Sequence, residues 1–125
     1  MAGKIVADTL EHSTAGSIAT NYVVEGSAKS WVNFNGTGTI AVRDSLNVSG
    51  LVDDATGAFT ASFSTNLGNA NYSLTVQLGG GGARNWVNSP FANRSTSSIQ
   101  VFTYNTSNAL HDYDSTNETI HGDLA

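Results

Sequence analysis

The chain has 125 residues, a net charge of −5 and no cysteine. This length suits a single domain, and only 12% of the residues are charged, so solubility depends on Ser, Thr, Asn and Gly, which make up 55 of the 125 residues. The five basic residues are scattered along the chain and form no basic stripe, which argues against nucleic-acid binding. The lack of cysteine excludes disulfides, thiolate metal ligands and a cysteine nucleophile.

Residues 1–27 contain apolar side chains that follow neither a helical nor a strand period, among them Ile5, Val6, Leu10 and Ile18. This pattern predicts an extended N-terminal arm for attachment or oligomerisation. Residues 7–12 could form one helical turn, which is too short to be stable alone. The first residues lack the apolar stretch of a secretory signal, and no run approaches the ~20 apolar residues that cross a bilayer. We therefore expect synthesis in a cytoplasm and no membrane insertion.

From residue 29 onward, apolar and polar residues alternate between turn signals. Trp31 and Asn33 alternate with Val32 and Phe34 before an Asn-Gly turn. Further strands are predicted at residues 39–43, 46–52, 59–63, 72–78 and 99–104, with a weaker one at 116–122. The only proline lies in a predicted loop, and no amphipathic helix is evident. The sequence predicts an all-β fold, an antiparallel β-sandwich or jelly-roll-like knob over residues 28–125.

The predicted core is thin, since only 39% of the residues are hydrophobic. We expect Tyr72 and Trp31 to pack inside, because both lie on alternating strands. Leu46, Val48, Gly50 and Val52 are predicted to share one face of a strand. Leu51, on the opposite face, is a candidate for a seam between subunits that supplements the core.

The sequence offers little evidence of catalysis. The glycine run at residues 79–82 lacks the Lys-Ser/Thr ending and the helix of a phosphate loop, so a flexible connection or close backbone approach is favoured. No nucleophile elbow is present, and we predict neither an enzyme nor a cofactor. A cluster of acidic and histidine residues could hold a divalent cation, but its spacing matches no known metal motif, and ordinary loop polarity is favoured. Its members are His111, Asp112, Asp114, Glu118 and His121.

Aromatic side chains offer an alternative function, because they can stack on sugar rings. Five residues are candidates: Trp31, Tyr72, Trp86, Tyr104 and Tyr113. Trp86 and Tyr113 are the better ones, since they fall in the predicted exposed loops at residues 79–93 and 105–116. The alternative interpretation is therefore that the chain is a carbohydrate-binding module.

The stretch that runs from "SAKSWVNFNGTGTIAVRDSLNVSG" to "NANYSLTV" resembles a module of virion structural proteins in tailed bacteriophages, notably marine and cyanobacterial ones. An Ala-Lys-x-Trp-x-x-Phe-Asn-Gly-Thr-Gly-Thr segment is followed by Arg-x-Ser-x-Asn-Val-Ser, an Asp-x-x-Gly turn, Phe-x-Thr and Asn-Tyr. The matching positions are Ala28, Lys29, Trp31, Phe34, Gly36, Gly38, Arg43, Ser45, Asn47, Val48, Ser49, Asp54, Gly57, Phe63, Asn71 and Tyr72.

This resemblance implies a fibre, spike or knob on the virion surface, usually a homotrimer, that serves in attachment or stabilisation and not in catalysis. The arm would dock on another virion protein of the head, neck or tail, or intertwine with its symmetry mates. A host surface glycan is a further partner to expect. The length of 125 residues favours a short separate decoration protein over the end of a long tail fibre.

Overall fold

The computed structural model describes residues 3–79 and 86–125. An N-terminal segment, residues 3–27, contains a small hairpin and one short helix. The rest of the described chain forms two sheets, with a short 3-10 helix at Phe91–Asn93. In chain order the elements are β1 (Thr9–His12), β2 (Gly16–Ala19), α1 (Thr20–Gly26), β3 (Ser30–Asn35), β4 (Ala41–Leu46), β5 (Val48–Ala55), β6 (Ala58–Phe63), β7 (Ser73–Gly79), β8 (Trp86–Asn88), β9 (Ser98–Tyr104) and β10 (Ser115–His121).

The two sheets are antiparallel and four-stranded, with strand orders β4-β3-β10-β7 and β5-β6-β9-β8. The central pairs, β3–β10 and β6–β9, join strands that are far apart in sequence. Each sheet also contains a hairpin of consecutive strands, β3–β4 in one and β5–β6 in the other. The predicted all-β antiparallel sandwich is confirmed.

The four central strands supply most of the core. In β3, β9 and β10 buried residues alternate with partly exposed ones, and β6 is buried except at Thr60 and Ser62. The edge strands β4, β5, β7 and β8 contain no fully buried residue. Phe34 and Phe59 meet edge to face between the sheets, with ring centroids 5.1 Å apart. Burial of such side chains stabilises by roughly 25 cal/mol per Å² of apolar area. The core comprises Val32, Phe34, Phe59, Ala61, Phe63, Leu67, Tyr72, Ile99, Val101 and Ile120.

Trp31 is not in this core, contrary to expectation, whereas Tyr72 is. Alternation in β3 turns Val32 and Phe34 inward, so Trp31 lies half-buried on the outer face, paired with Leu46 and Thr119 on the flanking strands. Its outward position follows from strand geometry and not from its hydrophobicity.

The predicted faces of β5 are also wrong, because the strand is irregular. The pairing with β6 shifts between Val48 and Gly50, which is a β-bulge. A bulge changes which side chains face inward. Val48 and Leu51 therefore both pack against the core, while Val52 is 51% exposed. Leu51 is consequently not a free seam residue.

The N-terminal segment has a hairpin where residues 7–12 could have formed one helical turn. Residues Thr9–His12 form a strand that pairs with Gly16–Ala19. The turn is stabilised by the His12 ring, whose Nδ1 accepts hydrogen bonds from the amides of Thr14 (3.3 Å) and Ala15 (3.1 Å). The helix that follows has no buried residue. The segment is thus an exposed appendage to the sandwich.

The predicted glycine connection is only partly described. Gly79 ends β7 beside Ser115, where a Cβ would come within 2.9 Å of the serine Cβ. The nearest backbone atom, the Ser115 carbonyl oxygen, would lie 3.7 Å from that Cβ, so the close contact is with a side chain and not with a neighbouring backbone. Residues 80–85, including the rest of the glycine run, lie outside the described residues.

Candidate functional site

Two aromatic rings form a stack on the outer face of the second sheet. Trp86 in β8 lies opposite Tyr104 in β9, and their rings are 3.9 Å apart with planes inclined by 3°. Trp86 is in a short strand and not in the predicted loop, yet 40% of its surface is exposed. An exposed indole held in this way can stack on an apolar face of a ligand such as a sugar ring.

The turn after β9 fixes the indole from one side. The Trp86 Nε1–H donates a 2.9 Å hydrogen bond to Oδ1 of Asn108, a residue with φ of 60°. The side chain of Asn105 holds this turn by accepting hydrogen bonds from the amides of Ser107 (2.9 Å) and Ala109 (3.1 Å). Asn is suited to both roles, since it tolerates positive φ and bonds nearby backbone groups. The indole is therefore held in a fixed orientation.

Tyr113 does not share this exposure, so the predicted glycan contact there needs correction. It is only 7% exposed and its ring packs edge to face with His111. Its hydroxyl donates a 3.0 Å hydrogen bond to the carbonyl of Tyr104, and burial raises the pKa of that hydroxyl. Tyr113 thus supports the aromatic stack from within and has no ring face free for a sugar.

A polar network continues the same outer face. The carboxylate Oδ2 of Asp54 accepts hydrogen bonds from the Thr60 hydroxyl (2.6 Å) and the Gln100 amide (2.9 Å). Gln100 also accepts a hydrogen bond from Asn93. Gln100 and Tyr104 are four residues apart on β9, or about 13 Å along the strand. The aromatic stack and this polar network therefore lie on the same face of the sheet.

The acidic and histidine residues proposed from sequence as a possible metal cluster point in different directions. Asp112 accepts a 2.5 Å hydrogen bond from the Gly57 amide, and the His111 ring packs on Tyr113. Glu118 is inside the sandwich, whereas His121 is exposed. Across residues 3–79 and 86–125, no three His, Asp or Glu side chains come together as cation ligands.

Glu118 is a buried acid in the sandwich interior. It is 2% exposed, and its Oε1 lacks a hydrogen-bond partner, as does Oγ1 of Thr116 on the same face of β10. Burial away from water disfavours the carboxylate and raises its pKa to about 8. The Tyr72 hydroxyl lies close enough to interact electrostatically with both Glu118 and Arg94. The carboxyl group is therefore mainly protonated at neutral pH.

The residues predicted to anchor the protein lie in the exposed N-terminal segment. Ile5 and Val6 are 91% and 81% exposed, and Leu10 and Ile18 are about half exposed, as a cross-strand pair of the hairpin. Lys29 connects this segment to the sandwich, because its ammonium group donates to the carbonyls of Val24 and Ser27. The segment is thus attached at its base, and exposed apolar side chains are spaced along it.

No protein family, curated protein or solved structure matches this chain. Among the described residues, no helix is both long and apolar enough to cross a membrane.

Sequence reasoning identified Trp86 but not the partners that position it. Tyr104 was one of five aromatic candidates, and its place on the outer face follows from the alternation of β9, in which Val101 and Thr103 turn inward. The role of Asn108 depends on a turn bringing it beside Trp86, 22 residues earlier. Local sequence patterns carry no signal for such a contact.

Proposed function

We propose that this chain is a structural protein of a bacteriophage virion: a rigid β-sandwich knob displayed on the particle surface and anchored by its N-terminal segment. The virion assignment derives from the resemblance of the Trp31-to-Tyr72 region to phage modules. The observation that carries the structural role is the exposed apolar N-terminal segment. A segment that leaves Ile5 and Val6 in water is suited to burial against a partner.

Self-association into a homotrimer is part of the proposal. Besides the N-terminal segment, the sandwich itself exposes about half of the surface of Val42, Leu46 and Val52. Covering a few hundred Å² of such surface would contribute several kcal/mol at roughly 25 cal/mol per Å². Association would thus compensate for a thin core.

Particle incorporation tests the anchor directly. Phage particles would be assembled with either the natural chain or the Leu10→Asp/Ile18→Asp variant, purified, and probed for the protein by quantitative mass spectrometry. Both side chains are already about half exposed, so the variant should still fold. We expect it to be lost from particles while remaining folded in solution.

A matched control replaces exposed polar residues in the loop between β3 and β4, for example Thr37→Asp/Thr39→Asp. This variant adds the same charge away from the N-terminal segment and should still enter particles. Equal incorporation of both variants would contradict the anchoring role, and absence of the natural chain from purified particles would contradict the virion assignment.

Carbohydrate binding is the second candidate function, favoured by the Trp86–Tyr104 stack and its neighbouring Asp54 network. The two functions are compatible, since a surface knob can bind a host glycan. A glycan array probed with the intact oligomer tests it. Glycan binding that disappears on Trp86→Ala would support a binding site at the aromatic stack. An array with no signal would contradict carbohydrate binding, and the structural role would then be the remaining function.

A further inference from the structure

Edge strands expose backbone N–H and C=O groups that can pair with another chain, and proteins protect such edges with charges, bulges, proline or short length. The two sheets of this sandwich have four edge strands, β4, β5, β7 and β8. Their protection is unequal.

Three of the edges carry such protection. β4 contains Arg43 and Asp44, and its pairing with β3 shifts in register. β5 has two register shifts and carries the acidic pair Asp53 and Asp54. β8 is described over Trp86–Asn88 and is followed closely by Pro90. Each of these edges is poorly suited to receive a further strand.

β7 has none of these features. Its sequence, SLTVQLG, contains no charge and no proline, and all seven residues pair with β10 without a register shift. No described strand pairs with it on the side away from β10. On its inner face Leu74 and Val76 pack on the core but are only partly buried. The edge therefore offers both free backbone groups and an incompletely covered apolar row.

The N-terminal segment contains the complementary element. Residues 3–7 belong to no helix or strand, and Ile5 and Val6 are the most exposed large hydrophobic residues described. Both are β-branched, which favours strand conformation. Five residues also approach the length of an average strand. In a strand, one of these two side chains would face the Leu74–Val76 side.

We propose that residues 3–7 of one copy add as a fifth strand to the β7 edge of a neighbouring copy. This inference rests on the proposed self-assembly and specifies its contact. Backbone hydrogen bonds would supply the affinity, and Ile5 or Val6 would cover the exposed apolar row, as in other cases of strand addition. Pairing of β7 with the β7 of a second copy would leave Ile5 and Val6 in water. Addition of residues 3–7 to a neighbour's β7 instead covers both the N-terminal residues and the β7 edge. Since donor and acceptor are different surfaces, the contact is head to tail, and three copies related by a three-fold axis would close it into a ring.

Hydrogen exchange of the full chain, followed by mass spectrometry from dilute to concentrated protein, tests the pairing. In the oligomer we expect the β7 amides that face away from β10 to exchange about 100-fold more slowly than in the monomer. The Ile5→Asp/Val6→Asp variant should lose this protection. Val23→Asp/Val24→Asp is the matched control, because it places the same charges on exposed residues of α1 and should retain it.

The outcomes separate this inference from the proposed function. An oligomer whose β7 amides exchange as fast as in the monomer would overturn the strand addition and leave self-assembly standing. A protein that stays monomeric at every concentration would overturn both the strand addition and the proposed self-assembly. Protection that survives Ile5→Asp/Val6→Asp would overturn residues 3–7 as the occupant.

Cysteine cross-linking identifies the occupant independently, since the natural chain has no cysteine. Chains with Ile5→Cys or Val6→Cys would be mixed with chains carrying Thr75→Cys and mildly oxidised. We expect disulfide-linked pairs between the two kinds of chain, with one of the two N-terminal positions favoured. Cross-links confined to pairs of Thr75→Cys chains would instead indicate β7–β7 pairing and overturn the proposal.

Discussion

Asn47 and Thr65 are joined by two hydrogen bonds where the chain passes from one sheet to the other. The Thr65 amide donates to Asn47 Oδ1 at 2.7 Å, and Asn47 Nδ2 donates to the Thr65 carbonyl at 3.0 Å. Asn47 is the single residue between β4 and β5, and its φ is 57°. Asn47 Nδ2 also donates at 3.0 Å to the carbonyl of Lys29, just before β3, so this side chain links the two sheets at one end of the sandwich.

We expect Asn47→Ala to lower the free energy of unfolding by about 2 to 4 kcal/mol, because it removes these hydrogen bonds and strains the backbone. Asn47→Gly should cost about 1 kcal/mol less, since glycine adopts the conformation freely. Guanidinium denaturation of both variants measures the difference. Equal stabilities of natural protein and Asn47→Ala would show that the junction does not depend on this residue.

Glu118 should make the protein less stable as the pH rises. Its pKa is about 8 in the folded state against 4.5 for an ordinary glutamate. Between these values the unfolded chain loses a proton that the folded chain keeps, so the free energy of unfolding falls by about 1.4 kcal/mol per pH unit. The contribution is constant below pH 4.5, where both states are protonated, and above pH 8, where both are ionised.

Glu118→Gln removes this titration. Because the amide stays neutral, we expect the variant to be more stable than the natural protein at pH 8, by an amount on the order of 3 to 5 kcal/mol, and similar to it at pH 4. Denaturation across this range measures the effect, with exposed Glu11→Gln as the control. A natural protein and Glu118→Gln variant with parallel pH profiles would contradict the assignment of a buried neutral acid.

Gly57 occupies the turn between β5 and β6 with φ of 66°, and a Cβ there would come within 2.6 Å of the His111 amide and the Thr103 carbonyl. Gly57→Ala should therefore lower the free energy of unfolding by about 3 kcal/mol or more. Gly38, with φ of 64°, has no atom within 4 Å of such a Cβ. Gly38→Ala should cost only about 1 kcal/mol, and similar losses in calorimetry of the two variants would contradict the tight packing at Gly57.

The aromatic stack gives a prediction for ligand binding. If the outer face binds a glycan, Trp86→Ala should reduce affinity at least 10-fold, because the stacking surface is lost. Asn108→Ala should weaken binding less, since it removes only the hydrogen bond that orients the indole. Asn69→Ala, in a turn with no contact to the stack, serves as the control. Titration calorimetry with a glycan identified on the array would measure the affinity of all three variants. Unchanged affinity in Trp86→Ala would show that the glycan binds elsewhere.

The sandwich was predictable because its central strands alternate cleanly. The alternation of Val32 and Phe34 with polar neighbours identifies β3, and that of Ile99, Val101 and Thr103 identifies β9. The same logic failed at β5, because a bulge between Val48 and Gly50 moves residues between faces without any mark in the hydrophobic pattern.

The candidate site was less predictable, because its geometry depends on contacts between distant residues. Trp86 and Tyr113 both fall in regions that sequence suggests are loops. Only the fold separates them: Trp86 joins the edge of a sheet, while Tyr113 folds back beneath Tyr104. The burial of Glu118 also follows from its place on a central strand, where alternation directs it inward in spite of its polarity.

The mass of the purified chain in solution, measured by light scattering during size exclusion, tests the central claim most directly. If the exposed N-terminal segment serves assembly, the natural protein should have three times the 13.0 kDa chain mass, and the Ile5→Asp/Val6→Asp variant should have the mass of one chain. A natural protein that remains monomeric at high concentration, or a variant that assembles as well as the natural chain, would contradict the account.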